Sequence, residues 1–244
     1  MDASVPTDPL VSVVIPTYNE RGSLASLYPE LCSALTAYPS ELIIVDDGSP
    51  DGTAAYAGTL SGPVPCLVQN RGRKLGLASA VLEGFTQARG SVVVVMDADG
   101  SHPPSAIPQL LDAVTTGGAE FALGSRYILG GSTPGLSRTR RLISRIATVL
   151  ARPLVPVVDP MSGFFAFRHP ILRRAPLSPL GFKIGLEIMV RCRPRPIAEI
   201  PIRFRPRTSG ESKLVQGEIG RYLRHIGRLY SARLAGSRRA SSTR

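Results

Sequence analysis

The stretch Ser91-Val92-Val93-Val94-Val95-Met96-Asp97-Ala98-Asp99 restricts the possible folds more than any other part of the chain. Five consecutive apolar residues fit a strand covered on both faces, and two carboxylates have no place inside such a strand. They must stand at its tip. On extended backbone, residues i and i+2 point to the same side, so the charges of Asp97 and Asp99 are held close together, which costs energy unless a cation lies between them. Hard oxygen ligands at a strand end suit Mg²⁺ or Mn²⁺, ions that accept one or two carboxylates and complete their shell with water and substrate phosphates. Taken alone, the pair could equally open the Asp99-Gly100 turn.

Apolar runs at 11–15, 42–45, 64–68 and 121–123 read as further strands, the first stopped by Pro16. Between them lie helical signals: Leu24, Leu27, Leu31 and Leu35 at helical spacing around Pro29, a short helix opened by Thr53, a helix at 77–88 closed by Gly90, and one from Pro103-Pro104 to Val114 stopped by Gly117-Gly118. Alternation at this spacing predicts an α/β fold with right-handed βαβ units and a mostly parallel sheet flanked by helices. Such sheets bind ligands outside the carboxyl ends of their strands, where Asp46-Asp47 and Asp97-Asp99 both fall.

The formal net charge of +11 demands a polyanionic partner: nucleic acid, a phospholipid surface or a phosphorylated substrate. With aromatics at 6% and no Trp, base stacking is a weak basis for binding, so a basic nucleic-acid-binding module is the minor alternative. Three cysteines without a CxxC pair and three scattered histidines support neither a disulfide framework nor a zinc site. The opening MDASVPTDPL lacks signal-peptide features, and no apolar run is long enough to span a membrane, so a cytoplasmic setting is expected.

Two basic segments are amphipathic. In 136–158, Leu142, Ile146, Val149 and Leu150 share a helical face among five arginines; in 219–234, Ile219, Leu223, Ile226 and Tyr230 lie against Arg221, Arg224, Arg228 and Arg233. Each apolar stripe either packs into the core or lies in a membrane interface. The chain is expected to divide into a flexible arm (1–10), an α/β domain (11–215) that carries the strand-end carboxylates, an amphipathic helix (216–235) and a disordered basic tail (236–244).

Three motifs at strand ends, Pro16-Thr17-Tyr18-Asn19-Glu20, Asp46-Asp47-Gly48-Ser49-Pro50-Asp51-Gly52-Thr53 and Asp97-Ala98-Asp99-Gly100-Ser101-His102-Pro103-Pro104, together resemble the family-2 glycosyltransferases with the GT-A fold. Gly124-Ser125-Arg126-Tyr127, Asp159-Pro160-Met161-Ser162-Gly163-Phe164, the segment from Gly181 to Ile188 and Gly210-Glu211-Ser212-Lys213 narrow the likeness to dolichol-phosphate (polyprenol-phosphate) mannosyltransferases.

That resemblance implies a nucleotide pocket at Pro16, Tyr18, Glu20, Val45 and Asp47. It implies a metal and diphosphate site at Asp97, Ala98, Asp99 and Ser101. Arg126, Lys183, Arg207 and Lys213 match basic residues around the diphosphate and sugar, and Arg126, Arg140 and Ser144 match the receiver of the lipid phosphate. The implied reaction moves a hexose with inversion, mannose from GDP-mannose, onto a polyprenyl monophosphate, giving a lipid-linked sugar donor for glycosylation; glucose from UDP-glucose is the alternative. A lipid monophosphate is already ionised at neutral pH, so Asp159 and Glu187 are expected to order the site and not to act as bases. Arg71 and Lys74 precede a helix start and are candidates for an anion contact or a surface role. Family members reach the bilayer through C-terminal transmembrane helices or small membrane subunits. This chain is expected to bind peripherally on the cytoplasmic face, by its own surface or through such a subunit.

Overall fold

The computed structural model describes residues 11–134, 138–178, 183–205 and 216–241, without the side chains of 138–141, 216–219 and 234–241. In chain order the elements are β1 (Val11–Thr17), α1 (Arg21–Ala34), β2 (Ser40–Asp46), α2 (Thr53–Ala57), β3 (Cys66–Asn70), α3 (Leu77–Gln87), β4 (Val92–Val95), α4 (Ile107–Thr115), β5 (Phe121–Ser125), α5 (Arg138–Ala151), β6 (Phe165–Arg168), α6 (Ile184–Arg191), β7 (Ile197–Pro201) and α7 (Gln216–Ser241). The sheet order is β3-β2-β1-β4-β6-β5-β7. Only β6 runs against its neighbours, so the sheet is mostly parallel, as expected.

Both faces of the sheet are covered. Val11, Val13 and Ile15 face one apolar layer with α1 and α4, and Val14, Ile43 and Val45 face the other with α3, α6 and α7. This double cover is why the strands are continuous apolar runs instead of alternating ones. Parallel connection brings the ends of β1, β2 and β4 to one edge, with the Asp-rich loops beyond them.

Local differences from the sequence reading have physical causes. Pro16 does not stop β1, which pairs through Thr17↔Asp46. The β4 ladder ends at Val14↔Val95, so the N–H that Pro16 lacks would have had no strand partner on that side. Pro29 lies inside α1, where it and Ala25, whose carbonyl it leaves without an intrahelical donor, are both exposed to water. Thr53 is the first residue of α2, with Gly52 in the cap position. β6 and β7 lie outside the strands read from the sequence; both are short and follow Gly/Pro-rich loops, although β6 falls in the aromatic run Phe164-Phe165-Ala166-Phe167.

The two amphipathic helices separate cleanly. α7 runs to Ser241, so 236–241 continue the helix, and 242–244 lie outside the described residues. It buries Tyr222, His225, Ile226 and Leu229; of the expected Ile219-Leu223-Ile226-Tyr230 stripe, Ile226 and Tyr230 pack inward, Leu223 stays exposed, and the side chain of Ile219 is outside the described set. Tyr222 Oη donates to the carbonyl of Ala147 (2.6 Å) and Tyr230 Oη to that of Leu150 (2.9 Å), tying α7 to the last turns of α5. The opposite face of α5 is bare: Leu142, Ile146, Val149 and Leu150 are 59, 54, 64 and 38% exposed.

Candidate functional site

The first two strand-end loops are stapled to each other. The backbone N–H groups of Asn19, Glu20 and Arg21 donate in succession to Ser49 Oγ (2.9 Å), Thr53 Oγ1 (2.9 Å) and Asp51 Oδ2 (3.2 Å). Asp46 is fully buried and accepts from Thr17 Oγ1 (3.0 Å) and the Ser49 N–H (2.8 Å). The turn chemistry of the second motif therefore serves to hold the first. Gly48 is required at the hinge: its φ is +71° and an added Cβ would lie 2.6 Å from Arg73 N.

Asp47, expected at the nucleotide, is held by Arg71 Nε (3.0 Å) and the Gly76 N–H (2.8 Å). Arg71 is not a surface residue. Its side chain is 2% exposed, it also approaches Glu83 (3.6 Å), and it donates to Ser79 Oγ (2.8 Å). It thus anchors Asp47. Lys74 Nζ lies 3.8 Å above the centre of the Tyr18 ring, a cation–π contact that orders the side chain at the pocket mouth. Pro16 and Val45 are buried beneath, and Tyr18 and Glu20 are half-buried at the edge.

Beyond β4, Asp97 is part-exposed, Ala98 and Asp99 are buried, and Ser101 donates its N–H to Asp99 Oδ1 (3.0 Å). The Ser101 hydroxyl is buried and finds no hydrogen-bond partner among the described residues. A buried orphan oxygen beside two carboxylates fits a hard dication or a phosphate. No group of three or more His, Cys, Asp or Glu converges among the described residues. The pair is thus suited to an ion whose shell is shared with a diphosphate, not to a closed protein cage.

His102 was missed by sequence reasoning, which saw only that the histidines were scattered. Its Nδ1 accepts the Asp97 N–H (3.0 Å), which leaves the ring proton on Nε2, and it stacks on Phe164 at 5.2 Å and 16°. Burial pushes its pKa below the ordinary imidazole value, while Asp97 and Asp99 pull it up and Arg126 and Lys183 push it down. Four of the predicted site residues therefore act electrostatically on this one ring. Gly163 packs alongside: an added Cβ would make ordinary contacts of 3.5 Å with the His102 ring and 3.6 Å with Asp97 Oδ2.

Arg126 follows β5 and is clamped by Asp159. Nε and Nη2 each donate at 2.8 Å to separate carboxylate oxygens, and the backbone N–H adds a third bond at 3.0 Å. Asp159 is fully buried and its own loop is held by Glu199, which accepts the N–H groups of Val158 (2.7 Å) and Asp159 (3.1 Å). Glu199 gave no sequence signal, since a lone carboxylate near a strand is common. Ser144 on α5 pairs with Tyr127 Oη at 3.0 Å, so the expected acceptor residues Arg126 and Ser144 are brought near each other through adjacent Tyr127. Lys183 Nζ donates to the carbonyl of Met161 (2.7 Å). Glu187 is buried, accepts from Ser178 N–H (2.7 Å) and pairs with Arg191 (2.9 Å), so it orders α6. Arg140 lies on α5 with its side chain outside the described set, and Arg207 and Lys213 lie outside the described residues.

Residues 12–175 match Glycosyl transferase family 2. A dolichol-phosphate mannosyltransferase of Pyrococcus furiosus is 44% identical over 223 residues, 90% of this chain, which spans 63% of that protein's length. One of Saccharomyces cerevisiae is 38% identical over 90% of this chain and 86% of its own. A polyprenol monophosphomannose synthase of Mycolicibacterium smegmatis is 39% identical over 85% of this chain and 82% of its own. Among solved structures, glucosyl-3-phosphoglycerate synthase of Mycobacterium tuberculosis, in complex with Mn²⁺, UDP and glucosyl-3-phosphoglycerate, superposes with a TM-score of 0.66 at 23% identity, over 92% of this chain and 80% of that one, a likeness of GT-A fold alone. The chain belongs to glycosyl transferase family 2, among the dolichol-phosphate mannosyltransferases.

Proposed function

We propose that the chain transfers mannose from GDP-mannose to a polyprenyl monophosphate with inversion. The observation that carries this reading is the Arg126–Asp159 clamp: a fixed cation between the acidic strand-end loops and the bare apolar face of α5, where a charged lipid head would meet a nucleotide sugar. The names of the relatives at 38–44% identity support mannose over glucose, and family membership favours an enzyme over a nucleic-acid-binding module.

In this reading the loops at Tyr18–Glu20 and Asp47 receive the nucleoside, and Asp97, Asp99 and Ser101 hold a divalent ion, Mg²⁺ or Mn²⁺, with the diphosphate. When bound, that ion neutralises charge developing on the leaving nucleotide. Arg207 and Lys213 would add to that neutralisation. Arg126, with Arg140 and Ser144, holds the acceptor phosphate through charge-assisted hydrogen bonds. Because Asp159 binds Arg126 through both oxygens, it sets the direction of the guanidinium and takes no proton from the acceptor.

No described helix is long and apolar enough to cross a membrane. The exposed Leu142-Ile146-Val149 stripe, with Arg145 beside it, is suited to lying in the interface of the cytoplasmic leaflet. Attachment through a small membrane subunit is the competing route. The test is a donor screen with radiolabelled GDP-mannose and UDP-glucose, a phosphorylated polyprenol, and Mg²⁺ or Mn²⁺. Transfer from GDP-mannose supports the reading; transfer from UDP-glucose alone overturns the sugar assignment.

A further inference from the structure

At the opposite edge of the sheet from the acidic loops lies a second concavity. Ile197, which lines it, pairs with Phe121 at the start of β5, whereas Ser125, which leads into Arg126, pairs with Pro201 at the far end. Four residues of strand, about 13 Å, separate the two ends. The cavity encloses about 830 Å³ between the end of α5, the turn joining α6 to β7, and α7. Among the described residues that line it are four arginines, Arg152, Arg193, Arg195 and Arg233, and no carboxylate. The rest of the lining is apolar or proline.

We propose that this cavity binds the phosphodiester headgroup of an anionic bilayer phospholipid, a site separate from donor and acceptor. Arginine forks match phosphate oxygens, and four arginines in a lining without a carboxylate favour an anionic headgroup over a zwitterionic one whose quaternary amine they repel; Glu120 accepts the Arg195 backbone N–H (2.7 Å) from outside the lining, and Arg233 also donates to the Leu154 carbonyl. The apolar wall suits the glycerol and proximal acyl carbons of such a molecule, which a free anion would leave unused. Arg193 holds a φ of +50°, a left-handed position that favours glycine, so the chain places an arginine at this turn against its backbone preference. The cavity also continues the bare stripe of α5: Arg152 immediately follows that helix, whose 14 residues span about 21 Å. A bilayer touching Leu142 and Val149 would therefore reach the cavity mouth.

The inference extends the membrane reading of α5 but uses none of the donor-side residues, so its test reads independently of transfer. The full chain, labelled with ¹³C at methionine methyls, reports directly because Met189 lines the cavity, whereas Met96 immediately precedes Asp97 and Met161 lies in the core with its Sδ 3.5 Å from Tyr222 Oη. Dihexanoyl-phosphatidylglycerol, dihexanoyl-phosphatidylcholine (both below micelle formation) and inorganic phosphate are titrated separately, with Met189→Leu assigning the signal. The expected result is a saturable Met189 shift with phosphatidylglycerol at least tenfold tighter than with phosphatidylcholine. The double variant Arg152→Gln/Arg193→Gln should weaken it at least tenfold while leaving the unliganded Met96 and Met161 signals in place. A still Met189 signal, equal response to both lipids, or an undiminished response in the double variant overturns the proposal. Inorganic phosphate matching phosphatidylglycerol also overturns it, reducing the cavity to a simple anion site. A normal lipid response in a protein that ignores GDP-mannose would refute only the transfer reading.

Discussion

Asp159 grips Arg126 through both carboxylate oxygens at 2.8 Å, and it does so from a fully buried position. Replacing it by Asn keeps the shape and one acceptor but removes the charge. A misdirected guanidinium should lower kcat by about 100-fold, with GDP-mannose affinity little changed. Leaving a nearly buried arginine without its counter-charge should also cost about 3 kcal/mol of stability. Single-turnover transfer and urea denaturation of Asp159→Asn measure the two effects separately; full activity would remove Arg126 from the acceptor site.

Asp99→Ala should abolish transfer at any Mn²⁺ concentration, and Lys213→Ala should do the same with metal binding retained. Both should keep the native circular dichroism spectrum. Transfer at the wild-type rate in Asp99→Ala would remove the metal assignment.

The hinge at Gly48 has no room for a side chain. Gly48→Ala forces a left-handed alanine, costing about 1–2 kcal/mol, and drives its methyl into Arg73 backbone. Since that turn carries the acceptors for three successive N–H groups of the first loop, nucleotide affinity should fall together with thermal stability. Calorimetric titration with GDP and a melting curve test this; stability lost with affinity intact would show that the two loops act separately.

Leu142→Glu/Ile146→Glu places two charges on the bare stripe. Co-sedimentation with liposomes should weaken by about 100-fold, because each buried leucine-sized side chain contributes about 1.5–3 kcal/mol. Activity on a short, water-soluble phosphorylated prenol should survive. Unaltered liposome binding would point to a subunit as the attachment.

His225 is buried, and burial first, then Arg191 and Arg228, hold its pKa below the ordinary 6.5. Between the two values the unfolded chain takes up a proton that the folded chain excludes. Its contribution to stability is therefore complete above about pH 6.5 and is lost as pH falls through the lowered folded value. Urea midpoints of wild type should decline over that window, and those of His225→Leu should decline less. Parallel pH profiles would show that other groups govern it.

Much of this was readable from residues alone. The valine run before Asp97 announced both a doubly covered strand and a loaded tip, because burial on two faces leaves no alternation and no room for carboxylates. The parallel sheet and the gathering of Asp47, Asp97 and Asp99 at one edge followed from strand–helix alternation. What stayed hidden depended on contacts distant in sequence. His102 acts through the Asp97 backbone and Phe164, 62 positions later, and Glu199 acts on a loop 40 residues before it. Neither has a periodic signature. Arg71 read as either an anion contact or a surface charge because nothing local shows that Asp47 lies across from it. For the amphipathic helices, periodicity identified an apolar face without saying what covers it; the tyrosines of α7 decide that, by facing inward onto α5.

Those two phenols have a mechanical consequence. Tyr222 and Tyr230 fasten the interior side of α5 at two successive turns, so the helix has little freedom to roll. In the proposed membrane-bound state the tilt of the protein on lipid would accordingly be set from within, and the sugar would be presented at one depth whatever the thickness of the bilayer beneath it.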